Sequence, residues 1–548
     1  MITRVSFFCL YLILKFTALP AQSVNPVGVA HKPKLIIGLV IDQMRWDYLY
    51  RFNDLYGTEG FKRLLMEGFS CENTMIPYVP TYTAPGHSCI YTGSVPAIHG
   101  IVGNNWFERS INKNVYCADD STAEGVGSST VWGKMSPQNL WTTTITDELR
   151  FSNNFKSKVI SIALKDRASI FPGGHSANAA YWYDEQAGKW ITSSYYMKQL
   201  PGWLQNFNNK HYPDSAMTQD WQPLLPIEKY KQSTLDGNVY EQSIPGEVSK
   251  TFPHYFSRIT TGKYEAFKYS PAAITYTFNL ARAAIENEKI GTGPYTDFVA
   301  LSISSTDYIG HKFGPNSPEV EDIYLRLDRE IAQFLKYLDK TTGRGNYLLF
   351  LTADHGIAHI PGFLKGHKTP SGTYNDRALM DKINLLLDKQ YNVKHGIKII
   401  ENYQVYIDQG LRQSQYSLSD IKKSIIEFLH KEPYVLQAFE SDQAAVSALP
   451  EALKKIMLNS YNPNRSGDIQ FTLKPAWFVG GNEGTTHGSW NPYDSHIPLV
   501  WFGSGIRPGK SHRHILMTDI APTIAAILQI QEPNGCVGKA IEEIIPGK

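Results

Sequence analysis

The sequence predicts an α/β protein whose core is a mainly parallel sheet held between helices. Three continuous apolar runs, at residues 34–41, 297–305 and 347–352, have the composition of strands buried on both faces, and each leads into an aspartate: Asp42, Asp307 and Asp354. Between the second and third runs, Val320, Ile323, Tyr324, Leu327, Ile331, Phe334, Leu335 and Leu338 recur at helical spacing. Ser317 and Pro318 stand at the cap and first-turn positions, and Gly343 follows the end. Strand, helix, strand in that order is one βαβ unit.

From the N-terminus, residues 1–21 read as a signal peptide: Met-Ile-Thr-Arg, a mostly apolar stretch from Val5 to Leu19 interrupted by Lys15, then small residues at the cut site. The stretch falls short of the ~20 apolar residues a membrane span needs. A periplasmic or secreted protein is expected, with no membrane span. Core segment 34–104 holds the first strand and a helix at 85–91. Residues 105–293 are rich in Trp, Tyr, Asn, Gly and Pro, with Trp106, Trp132, Trp141, Trp182, Trp190, Trp203 and Trp221 among them, and read as an insertion packed by its aromatics. Residues 294–361 return to the core. A smaller α+β cap is expected over 362–484, from a strand-like stretch at 397–408 and a helical pattern at 419–431. The core closes over 485–548, with a strand at 497–502 and a helix at 518–530.

The chain has 548 residues, 42% of them hydrophobic, which suffices for a large core. Lys plus Arg number 53 against 51 for Asp plus Glu, with no long run of one sign, so no nucleic-acid surface is indicated. Beyond the signal peptide lie Cys71, Cys89, Cys117 and Cys536. In an exported chain they are expected as structural bridges or buried thiols, with the pairing left open, and their spacing is not that of a zinc cluster.

The chemistry sits at the ends of the apolar runs. Strands of a parallel sheet end on one edge, so Asp42, the Asp307/His311 pair and the Asp354/His355 pair should converge there. His487 stands in a stretch of small residues, Gly-Thr-Thr-His-Gly-Ser. Three carboxylates and three imidazoles suit two zinc ions, although mixed N and O donors suit several metals. Thr83 lies just before the 85–91 helix, where a hydroxyl caps a helix or meets a phosphate, and a neighbouring metal ion would activate it; Thr81 is its competitor. Asn104 is either a donor to a phosphoryl oxygen or a turn residue. Lys165 and Arg167 place two cations on one side of an extended segment, where they either clamp phosphate oxygens or are merely solvated charges.

In order, Asp-Gln-Met-Arg, Pro-Thr-Tyr-Thr-Ala-Pro-Gly-His, Thr-Gly-Ser-Val-Pro-Ala-Ile-His-Gly, Lys-Asp-Arg, Ser-Thr-Asp-Tyr-Ile-Gly-His, Ala-Asp-His-Gly and Gly-Thr-Thr-His resemble the alkaline phosphatase superfamily, in its monoester-specific PafA-type branch, from about Lys34 to the C-terminus. The resemblance implies an alkaline-phosphatase-like core with two zinc ions. Asp307, His311 and His487 would hold one, and Asp42, Asp354, His355 and Thr83 the other. It implies that Thr83 attacks phosphorus to form a covalent phosphoenzyme, that Asn104, Lys165 and Arg167 contact the non-bridging oxygens, and that the substrates are small phosphate monoesters. A monomer is expected.

Rival readings are a phosphodiesterase or nucleotide pyrophosphatase of the same superfamily, which should replace Lys165 and Arg167 by an apolar pocket, and an exported zinc- or phosphate-binding protein without turnover. A sulfatase would need Cys or Ser with an Arg in the segment that here reads Thr83-Ala-Pro-Gly-His87.

Overall fold

The computed structural model describes residues 32–545; the segment read as a signal peptide lies outside them. Strands β1 (Leu35–Ile41), β2 (Phe69–Cys71), β3 (Gly125–Val126), β4 (Val159–Ile162), β5 (Ala179–Asp184), β6 (Lys189–Ser193), β7 (Asp297–Ile303), β8 (Tyr347–Thr352), β9 (Leu499–Gly503) and β10 (Gly509–Ser511) form one sheet in the order β10-β2-β9-β8-β1-β7-β4-β5-β6-β3. The central strands β8, β1, β7, β4 and β5 are mutually parallel. The flanks make the sheet mixed, since β9 and β6 run antiparallel to β8 and β5.

Every residue of β1, β7 and β8 is buried, as their unbroken apolar sequences demand. Each large aliphatic side chain taken out of water there contributes roughly 1.5–3 kcal/mol. The register sets Ile41 level with Ile303 and Val40 level with Thr352, so the residues that follow emerge side by side at one edge.

Four helices bear on that edge: α1 (Thr83–Thr92), α2 (Asp166–Gly173), α3 (Ser305–Phe313) and α4 (Pro318–Leu338). In α4 the Ser317 hydroxyl accepts from the Val320 N–H at 3.2 Å and Pro318 opens the first turn, a cap that contributes ~1 kcal/mol. Helix α1 starts two residues earlier than expected, so Thr83 is its first residue.

The sheet extends further than the sequence indicated. Strands β3 to β6 all lie within the region read as an insertion. The region packs through its aromatics: Trp182 of β5 and Trp190 of β6 are buried, as are Trp106 and Trp221 outside the strands of the sheet, while Trp221 Nε1 and the Tyr230 hydroxyl both donate to Asp322 of α4, at 2.6 and 2.5 Å.

Residues 374–473 have a second core of their own, with Ile383, Leu387, Val405, Ile421, Ile425 and Phe471 at its centre. An antiparallel sheet of Ile397–Glu401, Gln404–Ile407, Ile469–Leu473 and Val435–Glu440 carries helices Asp376–Tyr391 and Leu418–Leu429. The stretch 397–408 is therefore a hairpin, turned at Asn402 and Tyr403, whose φ values of 56° and 60° are left-handed. The helix expected at 518–530 is Ile520–Leu528. Cys71, Cys89, Cys117 and Cys536 are all free thiols.

Candidate active site

Asp42 follows β1 directly, Asp354 and His355 follow β8, and Asp307 stands in the first turn of α3, just past β7. His311 is one turn further along α3. His487 arrives from the loop before β9, and Thr83 from the N-terminus of α1. The structure thus brings together all seven residues that sequence reasoning assigned to the metal site.

Asp307, His311 and His487 offer ligand atoms within 4.8 Å of one another, and so do Asp42, Asp307 and His355. Asp307 belongs to both groups. His311 Nε2 lies 3.2 Å and His487 Nε2 3.6 Å from Asp307 Oδ1. His355 Nε2 lies 3.5 Å from Asp42 Oδ1, from Asp354 Oδ2 and from Thr83 Oγ1. The sequence assigned Asp307 to one group alone; its position between the two is a property of the folded edge.

Each histidine is held by its Nδ1. That atom is 2.8 Å from the Thr485 carbonyl in His311, 2.7 Å from that of Thr81 in His487 and 3.0 Å from that of Gly356 in His355. A carbonyl can only accept, so Nδ1 carries the proton and the Nε2 lone pair faces the carboxylates, as in metal-ligating imidazoles. Burial, with His487 stacked at 3.5 Å, pushes His355 well below the usual histidine range, and burial takes His487 down to about 4. In His311 burial is outweighed by Asp307, which raises it.

Among the carboxylates, burial and the neighbouring Asp354 push Asp42 well up, and burial takes Asp354 to about 7. Burial opposes ionisation of Asp307 too, but His311 and Lys165 hold it well below the usual range. Asp42 Oδ1 and Asp354 Oδ2 are buried and accept no hydrogen bond, while Asp42 Oδ2 meets only the Lys165 ammonium, at 2.7 Å. Carboxylates so placed need a cation. The donor set therefore fits divalent metal ions: lone pairs of three imidazoles and three carboxylates face one another with too few protons to satisfy them.

Lys165 departs from expectation. Its Nζ is 2.7 Å from Asp42 Oδ2, 2.6 Å from Asp307 Oδ2 and 3.3 Å from Thr83 Oγ1, inside the cluster. Arg167, two residues on in α2, instead donates to the Tyr116 hydroxyl at 3.1 Å. Asn104 Oδ1 accepts from the Ala84 N–H at 3.0 Å, which leaves its amide NH₂ free to donate next to Thr83. A cavity of about 390 Å³, lined by Lys165, Arg167, Tyr308, His311, Lys312 and Gly484 among others, opens onto the cluster. Hollows of about 720 and 520 Å³ lie elsewhere, but neither is lined by any of these ligands, so chemistry and not size marks the site.

Sequence reasoning passed over two supports. The Gln43 N–H donates to Asp354 Oδ1 at 3.1 Å and its Nε2 to Asp307 Oδ1 at 2.6 Å. His87 Nδ1 donates to the Thr83 carbonyl at 3.0 Å and lies 3.4 Å from Asp354 Oδ2. Both stand inside the motifs that drew attention to Asp42 and Thr83, which is the only signal the sequence offered. The cap also reaches in: Asn402 Nδ2 donates to the Asn105 carbonyl at 2.7 Å and the Tyr403 hydroxyl to that of His487 at 3.4 Å.

Residues 36–496 match the family model of type I phosphodiesterase / nucleotide pyrophosphatase. Alkaline phosphatase PhoV of Synechococcus elongatus is 49% identical, over 95% of this chain and 94% of its own. A Myroides odoratus protein named calcium-transporting ATPase is 50% identical, over 94% and 95%. Among the described residues of the present chain, no helix is long and apolar enough to cross a membrane. The crystal structure of wild-type alkaline phosphatase PafA superposes with a TM-score of 0.92 at 46% identity, covering 94% of this chain and 99% of that one.

Proposed function

We propose a function for this chain, which belongs to the type I phosphodiesterase / nucleotide pyrophosphatase family: it is an exported alkaline phosphatase that hydrolyses phosphate monoesters through a phosphothreonine on Thr83. The observation that carries the reading is the buried Thr83 hydroxyl at the first position of α1, beside two overlapping groups of metal-seeking side chains. Asp307, His311 and His487 would hold one zinc ion, and Asp42, His355, Asp354 and Thr83 the other, with Asp307 within reach of both. Bound zinc supplies Lewis acidity, which lowers the proton affinity of a hydroxyl and offsets charge on the phosphoryl group.

The chain's own residues do the rest. Thr83 Oγ1 attacks phosphorus, the ester P–O bond breaks, and the alcohol leaves through the cavity beside Tyr308 and Lys312. Water then attacks the same phosphorus and returns the hydroxyl to Thr83. Lys165, 3.3 Å from Thr83 Oγ1, sets a cation beside the incoming phosphoryl oxygens, while the Arg167 guanidinium lines the approach and the Asn104 amide, anchored through its Oδ1 to the Ala84 N–H, stands next to Thr83. A monoester dianion gains more from these three groups than a diester monoanion does, which favours monoesters over the diesters of the family's name.

Purified protein should turn over a chromogenic phosphate monoester far faster than the matching diester or sulfate ester. Rapid acid quenching should yield a phosphorylated peptide containing Thr83. A preference for the diester, or a phosphoryl group found on another residue, would sink the proposal.

A further inference from the structure

Strand β1 ends in a tight turn in which the Met44 N–H donates to the Ile41 carbonyl at 3.1 Å. The third residue of that turn, Gln43, has φ of 69°. Such a left-handed third position ordinarily falls to Gly or Asn, and any other residue there is strained. Gln43 is only 2% exposed, and both its ends are engaged. Its backbone N–H holds Asp354 Oδ1 at 3.1 Å and its side-chain Nε2 holds Asp307 Oδ1 at 2.6 Å. The amide can face Asp307 only with its NH₂, because an oxygen there would oppose a carboxylate. Opposite it lies Gly310, where an added Cβ would overlap Gln43 Oε1; the nearest atom from any other residue is Ile357 Cδ1, at an ordinary 3.6 Å. Gly310 is thus a glycine where this amide needs room.

We propose that Gln43 is a positioning residue for both halves of the metal site. The left-handed backbone aims its N–H at the carboxylate after β8 while its side chain reaches the carboxylate after β7. Asp307 lies in both ligand groups, so the amide that fixes its Oδ1 sets the spacing of the two. The inference rests on the two-zinc reading above.

The test separates this role from a structural one. Gln43→Gly keeps the backbone N–H and suits φ of 69°, but removes the amide. The metal-free variant should melt within about 2 °C of the parent, while its zinc affinity, read by competition with a chromophoric chelator, should fall about 10–100-fold. Gly310→Ala should produce a similar loss in the parent chain. In the Gln43→Gly background it should add nothing, because the overlapping atoms are gone. Wild-type zinc affinity in Gln43→Gly, or an equal effect of Gly310→Ala in both backgrounds, would overturn the proposal. If the parent chain itself takes up fewer than two zinc ions in the same titration, the two-zinc reading falls and this inference with it.

Discussion

At the carboxyl edge of the sheet His355 and His487 are pushed toward neutral imidazole, whereas His254, in the aromatic-rich region, lies 3.0 Å from Glu247 and 3.5 Å from Glu319 and is driven up to about 9 against the effect of burial. Both places bury imidazoles among carboxylates. They differ in which ring atoms face the acids. His254 turns both nitrogens to glutamates, so one extra proton makes it the cation that the pair requires. His355 and His487 spend Nδ1 on carbonyls and turn Nε2 toward Asp42 and Asp307, which leaves lone pairs facing lone pairs. A proton closes the first arrangement; a metal ion suits the second.

Thr83→Ala should lower monoester turnover by at least about 10⁴-fold while zinc content is retained; residual turnover near the parent level would place the nucleophile elsewhere. Chelation should come next in size, lowering stability by about 4 kcal/mol relative to zinc present at ~1,000 times its Kd. Hydrogen exchange should then rise around Asp42, Asp307 and Asp354 but not around His254, and equal deprotection of both regions would erase the distinction. Lys165→Ala and Arg167→Ala should each cost about 10²–10³-fold on monoesters and much less on diesters; equal losses would argue against a charge-reading role.

The smallest effect concerns pH. His254 has a folded value raised from 6.5 to about 9, so its contribution is complete below about pH 6.5 and is lost as pH rises through 9. Glu319, raised from 4.5 to about 7 chiefly by burial, has the same sign: stability is greatest while it is protonated and falls as pH climbs through 7. Urea melts should show a decline on the order of 1–3 kcal/mol between pH 6 and 9, flattened in His254→Gln. An undiminished slope in that variant would mean the pair is not its source.

The edge of the sheet was legible because unbroken apolar runs ending in aspartate have few alternatives: the strands that precede Asp42, Asp307 and Asp354 lie where the sequence put them. Strands β4 and β5 were not. They are four and six residues long, and the second, Ala-Ala-Tyr-Trp-Tyr-Asp, resembles the aromatic loops around it. The 397–408 hairpin read as one strand because Asn402-Tyr403 lacks the glycine that usually marks such a turn. The ligand types were visible in the motifs, but the sharing of Asp307 and the place of the Lys165 ammonium depend on tertiary register, which spacing does not encode.

The cap hairpin that touches the carbonyls of Asn105 and His487 has an engineering consequence. Its turn braces the segment that follows Asn104 and the loop that carries His487 at once. Trimming residues 374–473 to obtain a minimal phosphatase would remove both braces in one cut, so a shortened version should lose metal retention together with speed.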